Sequence, residues 1–219
     1  YVLPPVIRGF IDQYPDVSLQ LHQGTPYQIA ELAAKGTADF AIATEAMDLF
    51  SDLMMMPCYR WNRAVLVPRG HKLATREKLS LAELASYPLV TYVSGFTGRS
   101  RLDDAFVQEG LNPRVVFTAA DADVIKTYVR LGLGVGIVAH MAYDNEKDAD
   151  LIALDASHLF ADSITRIGFR KGSRLRAYMF DFISAFAAHL DRATVENVLL
   201  CQSQTEVDQL FSAIELPRR

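Results

Sequence analysis

The chain has 219 residues, 50% of them hydrophobic and 22% charged, with a net charge of −4. It is long enough to bury a sizeable core as one large domain or two small ones, and its charge balance excludes an overall basic footprint for nucleic acid. No stretch approaches the ~18 uninterrupted apolar residues of a membrane helix, and Cys58 and Cys201 match no metal or disulfide spacing and fit reduced cytosolic thiols. The opening Tyr1-Val2-Leu3-Pro4-Pro5 has neither Met nor a leader and reads as the start of a fragment.

Strand-like and helix-like runs alternate, which predicts an α/β protein. Residues 3–14 read as a helix with Val6, Ile7, Phe10 and Ile11 on one face and both prolines in its first turn. Residues 17–21 alternate as a strand. Thr25-Pro26 opens a helix carrying Ile29, Leu32 and Ala33 that stops at Lys35-Gly36. Residues 40–43 are a short buried strand ending at Thr44. Residues 61–67 read as a strand, 68–71 as a turn, and Ser80 caps a short helix through Leu84. Met54-Met55-Met56 reads as adaptable core or lobe-interface filling. Strands follow at 115–118, 133–138 and 164–169, with a helix over 121–131 capped by Asp121 or Asp123. Long helices are predicted over 177–190 and 194–214.

The stretch Gly95-Phe96-Thr97-Gly98-Arg99-Ser100 lies between the apolar run 87–93 and the periodic residues Leu102, Ala105 and Phe106. That order reads as strand, glycine-bounded turn and helix. Glycines let a ligand come close to the backbone, and a helix start offers N–H groups, so with the Thr97 hydroxyl this is a cradle for a small anion or carboxylate. An ordinary threonine cap is the other reading. Two halves of similar α/β logic, joined near residues 58–59 and 162–163, would put such a turn at a cleft.

Several segments resemble the effector-binding domain of LysR-type transcriptional regulators. They are Gly24 through Leu32 to Gly36-Thr37-Ala38-Asp39-Phe40, Pro68 with His71-Lys72-Leu73, Leu79-Ser80-Leu81-Ala82-Glu83-Leu84, and Val129-Arg130-Leu131-Gly132-Leu133-Gly134-Val135-Gly136-Ile137. Pro57-Cys58-Tyr59-Arg60-Trp61, the 95–100 turn, residues 118–128 and the closing Glu215-Leu216-Pro217-Arg218-Arg219 look like the CysB-like, cysteine-regulon subgroup. The resemblance implies a two-lobed type II periplasmic-binding-protein-like fold with the ligand cleft between lobes. Residues 1–58 plus 163–190 would form lobe I, residues 59–162 lobe II and residues 191–219 a C-terminal helical tail. It implies an acetylated serine (N-acetylserine or O-acetylserine) as effector, with sulfate or thiosulfate as competing anions and no other cofactor. Its pocket positions carry over to Thr44, Thr97 and Trp61, and the Gly98 amide joins them from the turn. It also implies a homodimer or homotetramer, a cytoplasmic location, and DNA contact only through an N-terminal helix-turn-helix domain. A Thr-Thr-His-Thr-Gln run, expected to complete the pocket, would lie upstream of Tyr1.

Other features have plainer readings. Trp61, the single tryptophan, fits either core packing or a cleft wall with its indole N–H toward a ligand. Thr44 could bond its own turn instead of a ligand. Gly132, Gly134 and Gly136 run from helix into strand, the wrong order for a dinucleotide loop, and point to close packing. Arg166, Arg170, Lys171, Arg174 and Arg176 form a local basic cluster that reads as a solvated loop, with contact to nucleic acid as the other reading. The five histidines have no metal spacing. Cys58 lacks a nucleophile signature, and the carboxylates near predicted strand ends are Glu45 and the pair Asp121 and Asp123, the last two of which read as helix caps. The expectation is a sensor domain with no catalytic residues; the alternative is a periplasmic solute-binding protein for sulfate or sulfonates.

Overall fold

Capping chemistry sets most helix starts. The computed structural model describes residues 1–96 and 98–219, the side chains of Met47 and Asp48 aside. Helix α1 (Leu3–Gln13) holds its prolines in the first turn, where a backbone donor has no intrahelical acceptor to lose. Helix α2 (Pro26–Ala34) opens with a reciprocal box: Thr25 Oγ1 accepts from the Gln28 amide, and Gln28 Oε1 accepts from the Thr25 amide. Strands β1 (Ala41–Ala43), β2 (Leu53–Trp61) and β3 (Arg63–Pro68) follow. Ser80 caps helix α3 (Leu81–Ala85) by accepting from the Glu83 amide. Strand β4 (Leu89–Tyr92), helix α4 (Arg99–Gln108) and strand β5 (Val115–Ala119) come next. Asp121 caps helix α5 (Ala122–Arg130) through the Asp123 amide. Strands β6 (Val135–Ala139), β7 (Leu151–Asp155) and β8 (Ser163–Arg170) precede helices α6 (Ala177–Phe186), α7 (Arg192–Leu200) and α8 (Gln204–Phe211).

The chain divides into two compact units. Residues Tyr1–Tyr59 and Ile164–Arg218 form the first; Arg60–Ser163 with Arg219 form the second. The chain passes from one to the other within β2 and returns at the start of β8. The second unit holds a five-stranded sheet in the order β5-β4-β6-β3-β7. Strand β4 runs parallel to β5 and β6, and β3 is antiparallel to β6 and β7. Alternation on β3 divides the core: Val65 and Val67 face one cluster with Leu73, Leu102 and Phe106, while Ala64 and Leu66 face another with Ile125 and Val129. A strand buried on both faces reads as a continuous apolar run. Gly136 is required here because a Cβ would meet Val129 Cγ2 at 2.7 Å, and at Gly134 it would strike the Pro88 carbonyl; these glycines serve packing.

The first unit holds a three-stranded sheet ordered β1-β8-β2, with Ala41 opposite Gly168. Its core includes Ala33, Phe50, Leu53 and Met55, and Phe10 of α1 meets Phe182 of α6 edge-on at 5.5 Å. Helices α7 and α8 belong to this unit. Strand β2 is an edge of the sheet, and α8 closes part of it. The Met55 amide donates to Gln204 Oε1 (2.8 Å), and Gln204 Nε2 donates back to the Met55 carbonyl (2.9 Å), so one side chain imitates a neighbouring strand. Met55 is 2% exposed. Gln204→Ala therefore strands a buried donor, at about 1–3 kcal/mol. The urea midpoint should fall accordingly, and an unchanged midpoint would show that water replaces the amide without loss.

Several expected elements differ. Residues 17–21 form no strand, having no ladder partner among the described residues; alternation marks two faces but supplies no neighbour. The helix expected over 177–190 ends at Phe186 because Ala187 turns extended (φ −146°) and His189 Nε2 meets the Pro57 carbonyl at 2.9 Å. The tail is two helices, since Asp191 and Ser203 each cap a new one. Strand β7 and most of β2 were not anticipated.

Candidate functional site

The turn between β4 and α4 is built as the sequence suggested at its two glycines. Gly95 (φ 80°) has open space around it, whereas Gly98 (φ 69°) stands at the N-cap of α4 and is enclosed. A Cβ at Gly98 would collide with Arg63 Nη2, lie 2.7 Å from Ser163 Oγ and touch Trp61 Cη2 at 3.4 Å. The first turn of α4 carries no acidic residue, so the positive end of the helix dipole is not offset locally. Arg99 ties the turn down: Nη1 donates to the Tyr92 carbonyl (2.6 Å) and Nε to Asp103 (2.8 Å). Thr97 lies outside the described residues.

Beneath Gly98 is a cation that sequence reasoning missed. Arg63 is 3% exposed. Its Nη2 donates to the Gly98 carbonyl (2.5 Å) and to Ser163 Oγ (3.2 Å), and its Nη1 donates to the Ala161 carbonyl (3.4 Å). The guanidinium lies 5.4 Å from the Trp61 ring and 5.6 Å from that of Phe160, a cation–π arrangement favoured by Arg. Trp61 is buried, packed by this guanidinium and the Gly98 turn. The signal was available: a charge at the head of the apolar run Ala64-Val65-Leu66-Val67 needs a reason to be there.

Thr44 belongs to the first unit. It follows β1, is half-buried, and its Oγ1 lies 3.3 Å from Thr165 Oγ1 on β8. Two residues on, Ala46 adopts a left-handed φ of 57°, the one non-glycine to do so among the described residues. Such a conformation costs about 1–3 kcal/mol and persists only where the surroundings fix it. It sits directly after Thr44-Glu45, and one Glu45 carboxylate oxygen is buried. Of the four positions named from sequence, Trp61 and Gly98 meet within the second unit and Thr44 lies in the first.

The remaining candidates have structural occupations. His158 and His189 bond the Leu79 and Pro57 carbonyls, and His71 accepts from the Leu73 amide. Burial pushes the Cys58 thiol up to about 12, leaving almost no thiolate at neutral pH. Arg166 departs from the solvated loop: it is half-buried, paired with Asp208 at 3.1 Å and within 3.5 Å of the Met55 carbonyl.

A family model described as the LysR substrate binding domain matches residues 1–191. The chain is 54% identical to the HTH-type transcriptional regulator SsuR of Burkholderia cenocepacia over 199 residues, 91% of this chain and 65% of that protein. It is also 54% identical to the HTH-type transcriptional regulator CysB of Haemophilus influenzae over 216 residues, 99% of this chain and 67% of that protein. The chain thus spans about two thirds of the length of these relatives. The cofactor-binding domain of the Cbl transcriptional regulator superposes with a TM-score of 0.85 at 41% identity, over 92% of this chain and 89% of that one. These matches carry the type II periplasmic-binding-protein-like fold with them.

Proposed function

The chain belongs to the LysR substrate binding domain family, and from that footing we propose that it senses a small anionic effector for a transcriptional activator of sulfur assimilation and cysteine biosynthesis genes. Relatives over nine tenths or more of its length are the HTH-type regulators SsuR and CysB. The observation that carries the ligand class is the start of α4: an enclosed left-handed Gly98, a first turn without acidic residues, and the buried Arg63 cation at the Gly98 carbonyl. Backbone dipoles and a desolvated cation together favour negative charge there. N-acetylserine, O-acetylserine, sulfate and thiosulfate all present such oxygens. Thr44, Thr97, the Gly98 amide and Trp61 are the residues we assign to them.

In the full-length protein DNA contact falls to an N-terminal helix-turn-helix, and homodimers or homotetramers in the cytoplasm are the working assembly. Occupancy regulates only through differential affinity for two arrangements of the protein, and no turnover is involved. A solute-binding role is not favoured, since these relatives are transcriptional regulators. Isothermal titration with the four ligands is the test. At least one should bind, and Thr97→Ala should weaken it about tenfold to a hundredfold, the loss of one hydrogen bond to a charged group. Silence from all four ligands, or an unaffected Thr97→Ala variant, overturns the assignment.

A further inference from the structure

The Arg63 side chain joins two places that are far apart in sequence. One is the Gly98 carbonyl at the start of α4; the other is the stretch 160–163, the last residues before the chain re-enters the first unit. Its neighbour Asn62 stitches the same stretch from the other side. Asn62 Nδ2 donates to the carbonyls of Phe160 (2.8 Å) and Ser157 (3.3 Å) and to Asp162 Oδ1 (2.8 Å), while its Oδ1 accepts from the Arg63 amide (2.7 Å). The outgoing passage (residues 60–63) and the returning one (157–163) are thereby locked side by side. Of these two side chains, Arg63 is the one that bonds the helix start.

We propose that Arg63 is a positioning residue that couples the N-terminus of α4 to the two segments through which the chain passes between its units, so that an anion held at α4 orders residues 157–163. The guanidinium is a rigid planar fork, and here its donors reach the Gly98 and Ala161 carbonyls and Ser163 Oγ while it lies within 5.6 Å of the Trp61 and Phe160 rings. Burial makes the link strong, because no water stands by to replace a lost acceptor. Displacing the Gly98 peptide therefore displaces the guanidinium, and the guanidinium carries Ser163 and Ala161 with it. A lysine would keep the charge and lose the fork. The linkage stands on these contacts; only the nature of the anion rests on the effector reading above.

Hydrogen exchange on the 219-residue chain tests it in two arms. Without ligand, Arg63→Lys should speed exchange about tenfold at both 98–102 and 157–163, leaving the central β4–β6 amides unchanged. Ser163→Ala, which keeps the Gly98 arm, should speed exchange at 157–163 alone. With saturating sulfate, thiosulfate or an acetylserine, the parent should gain protection at 157–163, and Arg63→Lys should gain it only near α4. A purely structural arginine would instead raise exchange everywhere and leave the ligand response intact. Loosening at one end only in Arg63→Lys, or ligand protection of 157–163 surviving in it, overturns the proposal. Should Arg63→Lys fail to fold, Ser163→Ala decides alone: a parent-like ligand response there is fatal. If the parent binds none of the anions, the effector reading fails while the ligand-free arm still judges the link.

Discussion

Asp148→Ala should lower the stability of the second unit by about 3–5 kcal/mol, the cost of taking from a buried cation its buried carboxylate partner. Asp148 is 3% exposed and Lys126 5%. One carboxylate oxygen accepts from Lys126 Nζ (2.9 Å) and the Asp144 amide (3.1 Å), the other from Arg130 Nη2 (2.8 Å). Without it Lys126 retains the Ala142 carbonyl at 3.1 Å and Asp123, whose side chain is largely in water. Arg130 keeps Asp150. The measurement is urea unfolding at neutral pH: the midpoint should fall with the slope unchanged. Coupling Asp148→Leu with Lys126→Met should restore much of the loss, since an apolar pair of similar size leaves no charge unpartnered. Equal midpoints for Asp148→Ala and parent would show that the ion pair contributes nothing.

The same clasp sets an acid limit. Burial alone would raise the Asp148 carboxyl, but hydrogen bonds from Lys126, Arg130 and the Asp144 amide outweigh it and hold the group below its ordinary value of 3.8. Asp150 is lowered chiefly by its bonds from Arg130. A depressed carboxyl contributes stability above its unfolded value and loses it as pH falls through the folded one. Lys126 works in reverse: burial lowers it, Asp123 and Asp148 raise it above 10.5, and its contribution is complete below that value. The clasp is therefore intact at neutral pH and fails in acid below 3.8, a dependence that Asp148→Asn should flatten.

Gly98→Ala is expected to cost about 2–5 kcal/mol, the sum of left-handed strain and overpacking, and to abolish effector binding. Strain alone is also present in Gly95→Ala, whose φ is 80° but whose surroundings are open; that variant should lose about 1 kcal/mol and bind normally. The difference lies in Arg63, which is buried, hydrogen-bonded at both terminal nitrogens and close to two rings, and so resists displacement by the new methyl. Urea unfolding and titration of both variants measure the contrast. Matching stabilities would mean that the turn shifts freely, and the enclosure of Gly98 would carry no weight.

Local chemistry was legible where one residue decides the outcome: Thr25, Ser80 and Asp121 cap helices as their types require. Long-range partners were not. Strand β2 is buried almost throughout, so it shows no alternation; it contains Pro57, which its edge position tolerates. Ala187-Ala188-His189-Leu190 contains only helix-compatible residues, yet tertiary bonding of His189 wins. At the candidate site the glycines stood out by their backbone freedom in a strand-to-helix turn and Trp61 as the single tryptophan. Ser163 and Thr165 did not, because a buried polar residue of this kind is recognised only from the partners that the fold brings to it; Arg63 showed only a charge at the head of an apolar run, with no sign of what it holds.

The division of the chain also orders its assembly in time. Apart from Arg219, the second unit is contiguous, Arg60–Ser163, whereas β1 of the first must wait for β8 to pair Ala41 with Gly168. A ribosome delivers the strands in that sequence, so the inserted unit is complete while β1 still has an open edge. Closing a long flexible loop costs more entropy than closing a short one, and prior folding of the insert replaces that loop with a compact body. Stability of the inserted unit thus bears on how fast, and how cleanly, the other unit closes. A lesion such as Asp148→Ala in the inserted unit would then be felt as slow maturation and exposed strand edges in the other.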